Sequence, residues 1–254
     1  EKIAKRTVGF SGADLENMMN EAAIAIAREN KKEIDMEDIE EASMKVKYGP
    51  SKKRLHDEYE REMTAYHEAG HAVLAHMLPY ADPVHRISIV SRGHALGYTF
   101  TPPEKDKVQL LKSEMLDDMV VMMGGRAAEM LIYDEQTAGA SNDIERATRV
   151  ARSMVVEYGM SKLGPMNFAP QYDRSYAKAW GEPHKISAQL QEKVDSEIRE
   201  LIDEAQKKAM TLLKKHRKQL DDVTTKLLEV ETLDGDEFER VMGVKKARKD
   251  LKRS

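Results

Sequence analysis

The stretch Thr64-Ala65-Tyr66-His67-Glu68-Ala69-Gly70-His71-Ala72-Val73-Leu74 sets two imidazoles four residues apart in a run with no helix breaker before Pro79. At about 100° per helical residue, His67 and His71 stand roughly 40° apart, on one face. Both rings can then reach a single zinc ion at about 2.0–2.1 Å. Glu68 follows the first ring and can address a water beside that ion, the position of the general base in a zinc peptidase. A solvated surface helix with two histidines is the plainer alternative, and the neighbouring residues speak against it. Tyr66, Ala69, Val73 and Met77 recur at threes and fours, as one buried stripe does. Gly70 costs a helix about 1 kcal/mol relative to alanine, so close packing or a demand of the site is expected there.

A catalytic zinc normally takes three protein ligands plus water. The metzincin extension would place glycine at position 74 and histidine at position 77, where this chain has Leu74 and Met77. His76 falls out of that register and reads as a rim or surface residue. His85, His94, His184 and His216 lack any supporting local pattern. Two acids stand out instead. Glu129 lies in Gly124-Gly125-Arg126-Ala127-Ala128-Glu129-Met130, a helical stretch with apolar neighbours. Asp143 closes the small-residue segment Thr137-Ala138-Gly139-Ala140-Ser141-Asn142-Asp143, which opens onto an apolar helix. A carboxylate there gains from the helix N-terminus and stays ionised, as a ligand must. Ser141, Asn142 or Asp143 could equally cap that helix. Spacing alone leaves Asp143, Glu129 and simple capping open.

Five segments together bear on the choice: Thr64 to Ala72, Asp82-Pro83-Val84-His85-Arg86, Ala95-Leu96-Gly97-Tyr98-Thr99, Gly124 to Glu129, and Gly139-Ala140-Ser141-Asn142-Asp143-Ile144. In that order they resemble the signatures of the FtsH family of ATP-dependent zinc metalloproteases, from about residue 60 to about residue 170. The resemblance implies Asp143 as the third zinc ligand beside His67 and His71, and makes Glu129 a helix residue near the site. Met130 departs from the family pattern, in which many members carry a second acid.

Composition sets outer bounds. The 254 residues suffice for one large or two modest domains, and a net charge of −4 argues against nucleic acid as a partner. With no cysteine there is neither a disulfide framework nor a thiolate metal site, which fits a reducing cytoplasmic or organelle-interior compartment. No apolar run approaches the roughly 18 residues of a membrane span, and there is no signal-peptide pattern. The chain opens without methionine and in mid-pattern, so a piece of a longer protein is expected. The family resemblance implies membrane anchorage through segments upstream of it.

Residues 1–46 read as a small helical unit. Ser11-Gly12-Ala13-Asp14 resembles a capping box with Asp in place of Glu, and Asp35 with Asp38 repeats the device. Leu15, Met18, Met19, Ala22, Ala23 and Ile26 are the expected buried face. Thr7 to Leu15 and Asn20-Glu21-Ala22-Ala23 resemble the lid subdomain of an AAA+ ATPase, with Val8 where the family has proline. No Gly-x-x-x-x-Gly-Lys-Ser/Thr loop occurs, so ATP and magnesium would enter only through an upstream ATPase core absent from this chain. Residues 47–62, charged and punctuated by Gly49-Pro50, read as a hinge.

The peptidase unit is expected over 63–244, followed by a basic, disordered tail at 245–254. Val84 to Val90 and Leu96 to Thr101 are rich in β-formers and read as a short β element, the second strand at an edge because prolines follow. Such an edge can pair with an extended substrate; the resemblance favours Gly97, Tyr98, Thr99 and Phe100 for this. Mere coverage of the metal helix remains the alternative. Helices are expected near 106–132, 143–158, 186–214, 217–230 and 236–242. The stripe from Ile186 through Val194, Ile198, Ala205 and Leu212 reads as core or subunit contact rather than a cofactor site. Residues 169–184, with Trp180, read as a loop.

The expected architecture is therefore mainly α: a helical AAA+ lid followed by a mostly α-helical zinc metallopeptidase with a small β element. Zinc would polarise a water and the scissile carbonyl, while Glu68 would take the water's proton and pass it to the leaving amine. The family resemblance implies unfolded or membrane-protein substrates and a homo-oligomer, a hexameric ring with inward-facing sites. A silent scaffold or regulatory homologue with a structural zinc is the rival reading. Structural zinc sites, however, are usually closed by four ligands.

Overall fold

Helix-forming runs separated by glycine, proline and charged turns give nine helices and three short strands among the described residues of this computed structural model, which are 3–4, 7, 9–51, 57–92, 96–103, 109–169 and 186–243. Trp180, most of the expected loop at 169–184 and the tail at 245–254 lie outside them.

Two capping boxes start the N-terminal pair. The Ser11 side chain accepts from the Asp14 N–H and Asp14 returns a bond to the Ser11 N–H, opening α1 (Gly12–Arg28). Asp35 and Asp38 do the same for α2 (Met36–Tyr48). The two helices close a small core of Met18, Ala22 and Ala42, bordered by Phe10, Ile34, Ile39 and Val46. Leu15 and Met19, expected on the buried face, are 38% and 43% exposed. Among the described residues one helix, α2, packs on α1 and covers a narrow stripe of it.

Helix α3 (Glu58–Met77), which carries His67 and His71, begins inside the segment read as a hinge. It stops where Leu78 turns extended (φ −88°, ψ 132°), as a residue before proline must. From Glu68 to His76 every residue is buried, so α3 is a central helix with no solvated face over that span. His76, expected at a rim, is 3% exposed and sets its ring edge-on to Phe238 at 5.5 Å. The misplacement has a simple cause, because Phe238 of α9 (Gly235–Met242) meets the His76 ring on the side that the local pattern left open.

Helices α4 (Lys112–Met122) and α5 (Gly124–Tyr133) occupy the region expected as one helix; the break falls at Met123, before the Gly124-Gly125 pair. A 3₁₀ turn (Ala138–Ala140) leads into α6 (Ser141–Val156), and α7 (Ala188–Lys215) and α8 (Arg217–Val230) complete the bundle. The shared core runs through Val73, Leu74, Met119, Met154, Leu213, Leu220 and Leu227, all buried. Val194, Ile198, Ala205 and Ala209 of α7 belong to it, so that stripe is core.

Gly70 and Gly124 are where α3 and α5 touch backbone to backbone. A β-carbon on Gly70 would stand 2.5 Å from the Gly124 carbonyl oxygen, and one on Gly124 would stand 2.9 Å from the Gly70 oxygen. Gly70→Ala should therefore lower the melting temperature. Overpacking costs about 1–3 kcal/mol or more, against a helix-propensity gain of about 1 kcal/mol. A raised melting temperature would refute the backbone contact.

Strands β1 (Arg86–Ser88), β2 (Tyr98–Phe100) and β3 (Thr232–Asp234) form an antiparallel sheet in the order β2-β1-β3. The third strand is too short to announce itself by alternation; it follows Glu231, which caps α8 with φ +61°. Among the described residues β2 is an edge. Phe100 directs its carbonyl inward to the His85 N–H at 2.9 Å, so the Thr99 N–H and C=O, one residue back, face outward.

The N-terminal pair docks on this sheet through α2. Arg86 reaches Glu40 at 2.9 Å, and Arg92 grips Glu41 through both guanidinium Nη atoms. Met44 is buried with Tyr98 and Phe100, while the Lys47 ammonium lies 4.4 Å from the centre of the Phe100 ring.

Candidate metal centre

Three donor atoms from two helices converge at one point. His67 Nε2 and His71 Nε2 are 3.1 Å apart. Asp143 Oδ2 lies 3.4 Å from the first and 3.3 Å from the second. Three ligands at about 2.0–2.1 Å from one ion, at tetrahedral angles, stand about 3.3–3.4 Å from each other. The spacing thus fits a tetrahedral cation with a fourth corner to spare. Among the described residues no other group of three or more histidines and acids meets this geometry.

The far sides of the rings decide which atoms face inward. His71 Nδ1 is 2.7 Å from the Val121 carbonyl oxygen, which can only accept, so Nδ1 carries hydrogen and Nε2 presents a lone pair. His67 Nδ1 is 2.7 Å from Glu129 Oε1, and an ionised carboxylate imposes the same tautomer. Glu129 is itself held by the Thr137 N–H at 2.9 Å and the Thr137 hydroxyl at 3.0 Å. Two imidazole lone pairs and a carboxylate oxygen aimed at one another repel unless a positive charge sits among them.

The field at the cluster favours that charge. Burial works against a charged His67, yet hydrogen bonds to Asp143 and Glu129 and the Glu68 charge push its pKa up to about 10. Burial likewise opposes ionised Asp143, but the charge of His71 and hydrogen bonds with both imidazoles hold it far below the carboxylate range. Glu129, despite burial, is lowered by His67 and Thr137. Three carboxyl groups, Asp143, Glu129 and Glu68, around two imidazoles make a pocket whose field favours a cation.

Asp143 sits in the first turn of α6, where no side chain caps the helix; the N-cap is Ala140. Its carboxylate is turned to the histidines instead. Glu129 faces the opposite, Nδ1 side of His67 and orients that ring. Gly125 leaves the space that the ring fills, since a β-carbon there would come within 2.3 Å of it.

Glu68 projects beside the cluster. Its Oε2 accepts from the Thr99 hydroxyl at 2.7 Å, and a β-carbon on Gly97 would stand 2.9 Å from Oε1. Burial pushes its carboxyl pKa up; the charges of His67 and His71 and the Thr99 bond pull the other way. A cleft of about 1350 Å³ joins Glu68, His67, His71 and Asp143 to Gly97, Tyr98 and Thr99.

Residues 54–241 match the family model of peptidase family M41. The chain belongs to peptidase family M41. Residues 1–41 match the AAA+ lid domain, directly before the M41 region. The M41 chain is 48% identical over 242 residues to the ATP-dependent zinc metalloprotease FtsH 1 of a Thermoanaerobacter species, covering 94% of this chain and 40% of the relative. It is 47% identical over 254 residues to the FtsH 1 protein of Sphaerobacter thermophilus, which bears the same description (99% and 39% covered). With the FtsH protein of Thermotoga maritima it shares 45% identity over 246 residues (95% and 40% covered). The chain thus spans about two fifths of the length of the curated relatives it matches.

In this M41 chain the residues that gather here, His67, His71 and Asp143, are legible in the sequence, while their supports are not. The Val121 carbonyl and the Thr99 hydroxyl carry no pattern, being set by long-range packing. Glu129 carried a signal, a lone acid in an apolar helix beside two glycines, which did not reveal which side of His67 it would face.

Proposed function

We propose that residues 63–244 form a zinc endopeptidase, that residues 1–46 belong to an AAA+ ATPase module driving it in a longer protein, and that 47–62 links the two. The observation that carries this reading is the convergence of His67 Nε2, His71 Nε2 and Asp143 Oδ2 within 3.1–3.4 Å, with Glu68 opening on the same cleft. These three residues would hold the zinc, with Glu129 and the Val121 carbonyl orienting the rings. Bound there, zinc supplies Lewis acidity that acidifies a water and polarises a peptide carbonyl.

The chain's own residues do the rest. Glu68 takes the proton of the attacking water and returns it to the departing amine. Its burial, which raises the carboxyl above its ordinary range, suits it to hold that proton between the two steps. The outward N–H and C=O of Thr99 would pair with an extended substrate, with Gly97 to Phe100 forming the template. Main-chain pairing reads shape rather than sequence, which fits unfolded or membrane-extracted proteins as substrates and a role in protein quality control.

Further features belong to the parent protein. Relatives named ATP-dependent support coupling to ATP and magnesium through an upstream core. We place the parent in a hexameric ring, anchored to a membrane by segments outside this chain, with this part in a reducing cytoplasmic or organelle-interior compartment. No helix among the described residues is long and apolar enough to cross a membrane.

Metal analysis and proteolysis test the core of this reading together. The purified chain should carry about one zinc per molecule and cleave casein. A chelator should stop cleavage and added zinc should restore it. Stoichiometric zinc with no cleavage of casein or short peptides would leave only a structural metal.

A further inference from the structure

Strand β2 is held on three sides, and each side has a different task. Tyr98 and Phe100 point to one face, where they are buried with Met44 of α2. Their backbone pairs with β1, in the register Arg86 with Phe100 and Ser88 with Tyr98. Thr99, between them, points to the opposite face, and its hydroxyl stands 2.7 Å from Glu68 Oε2 and 3.1 Å from the Glu68 carbonyl oxygen. A threonine hydroxyl has a single proton. The shorter contact, to an ionised carboxylate, is the stronger of the two, so the proton belongs to Oε2.

We infer that Thr99 is a positioning residue for the base: its hydroxyl pins Glu68 Oε2 and thereby directs Oε1 to the water. This rests on Glu68 being the base of the reaction proposed above. Glu68 has three side-chain torsions, and its terminal one is broad and nearly free. Without a donor on one oxygen the carboxylate can rotate away from the reacting water. Gly97 complements the arrangement from the same strand segment. A side chain there would collide with Glu68 Cγ and Oε1, both 2.9 Å from a built β-carbon, so glycine keeps the second oxygen accessible. Arg86, Arg92 and Met44 fasten this sheet to α2, which makes β2 a firm support for the hydroxyl.

Thr99→Val removes the hydroxyl while keeping shape and backbone, and Thr99→Ser keeps the hydroxyl while removing a methyl. In the zinc-loaded chain, cleaving a short fluorogenic peptide, Thr99→Val should lower kcat by about 10- to 100-fold, the range that a misplaced catalytic group produces. KM and zinc content should stay as in the parent, since the substrate-facing backbone and the ligands are untouched. Thr99→Ser should restore kcat to within about threefold of the parent, its hydroxyl again making the charge-assisted bond. Should Thr99→Val fold poorly, Thr99→Ala serves as the hydroxyl-free variant in the same assay. An unchanged kcat without the hydroxyl would overturn the inference, as would a serine variant as slow as valine, or a loss confined to KM. Glu68→Gln run alongside separates the two levels. If it is inactive while Thr99→Val is normal, only the positioning role falls; if it is active, the assignment of the base falls.

Discussion

Glu68→Gln should keep zinc bound and stop turnover. The amide is nearly isosteric, and its carbonyl oxygen can still accept from the Thr99 hydroxyl that now sits 2.7 Å from Oε2. None of the three converging donor atoms is altered, so metal content should match that of the parent chain. The amide cannot accept a proton at neutral pH. The loss in kcat should therefore reach at least the roughly 10²–10⁴-fold typical of general acid–base catalysis. Zinc content and kcat on a common peptide substrate settle the matter, and a variant with near-normal kcat would remove Glu68 from the chemistry.

Asp143→Ala and Glu129→Ala should separate a ligand from a residue that orients one. Asp143 supplies the sole carboxylate oxygen of the converging set. Its removal should leave the chain without zinc after dialysis and without activity. Glu129, itself held by Thr137, meets His67 at its outer nitrogen, at 2.7 Å, and not at the inward one. Loss of such an outer partner typically costs about 10–100-fold in metal affinity or activity, so Glu129→Ala should bind zinc more weakly but still bind it. Competition with a chromophoric chelator measures both. The reverse ranking would transfer the third ligand to Glu129. Both variants should stay folded, because the helical core around Leu74, Met119, Met154 and Leu220 is apolar and continuous without the site.

Much of this protein was legible because its signals are local. A four-residue interval between His67 and His71 fixes their shared face on any helix. Ser11 with Asp14 and Asp35 with Asp38 start their helices through bonds spanning three residues. Pro79 ends α3 by restricting the residue before it. The Asp143 segment was legible in a weaker sense. Its spacing allowed a cap, a ligand or nothing, and only the likeness to a family singled it out.

What escaped was everything that depends on how distant segments meet. His76 looks peripheral along its own helix and is buried because Phe238, far along the chain, covers it. Leu15 and Met19 look buried and are exposed because, among the described residues, α2 is the helix that packs on α1 and it covers the stripe of Met18 and Ala22. The strand at Thr232–Asp234 exists through its pairing with β1. Sequence by itself determined the helical class, the facing histidines with their neighbouring acid, and the kinship, since each rests on intervals of a few residues. Tertiary structure alone decided that Asp143 points at both imidazoles, that Glu129 stands behind His67, and that Thr99 holds Glu68. Those contacts join residues 31 to 76 positions apart, and no local rule of backbone geometry reaches so far.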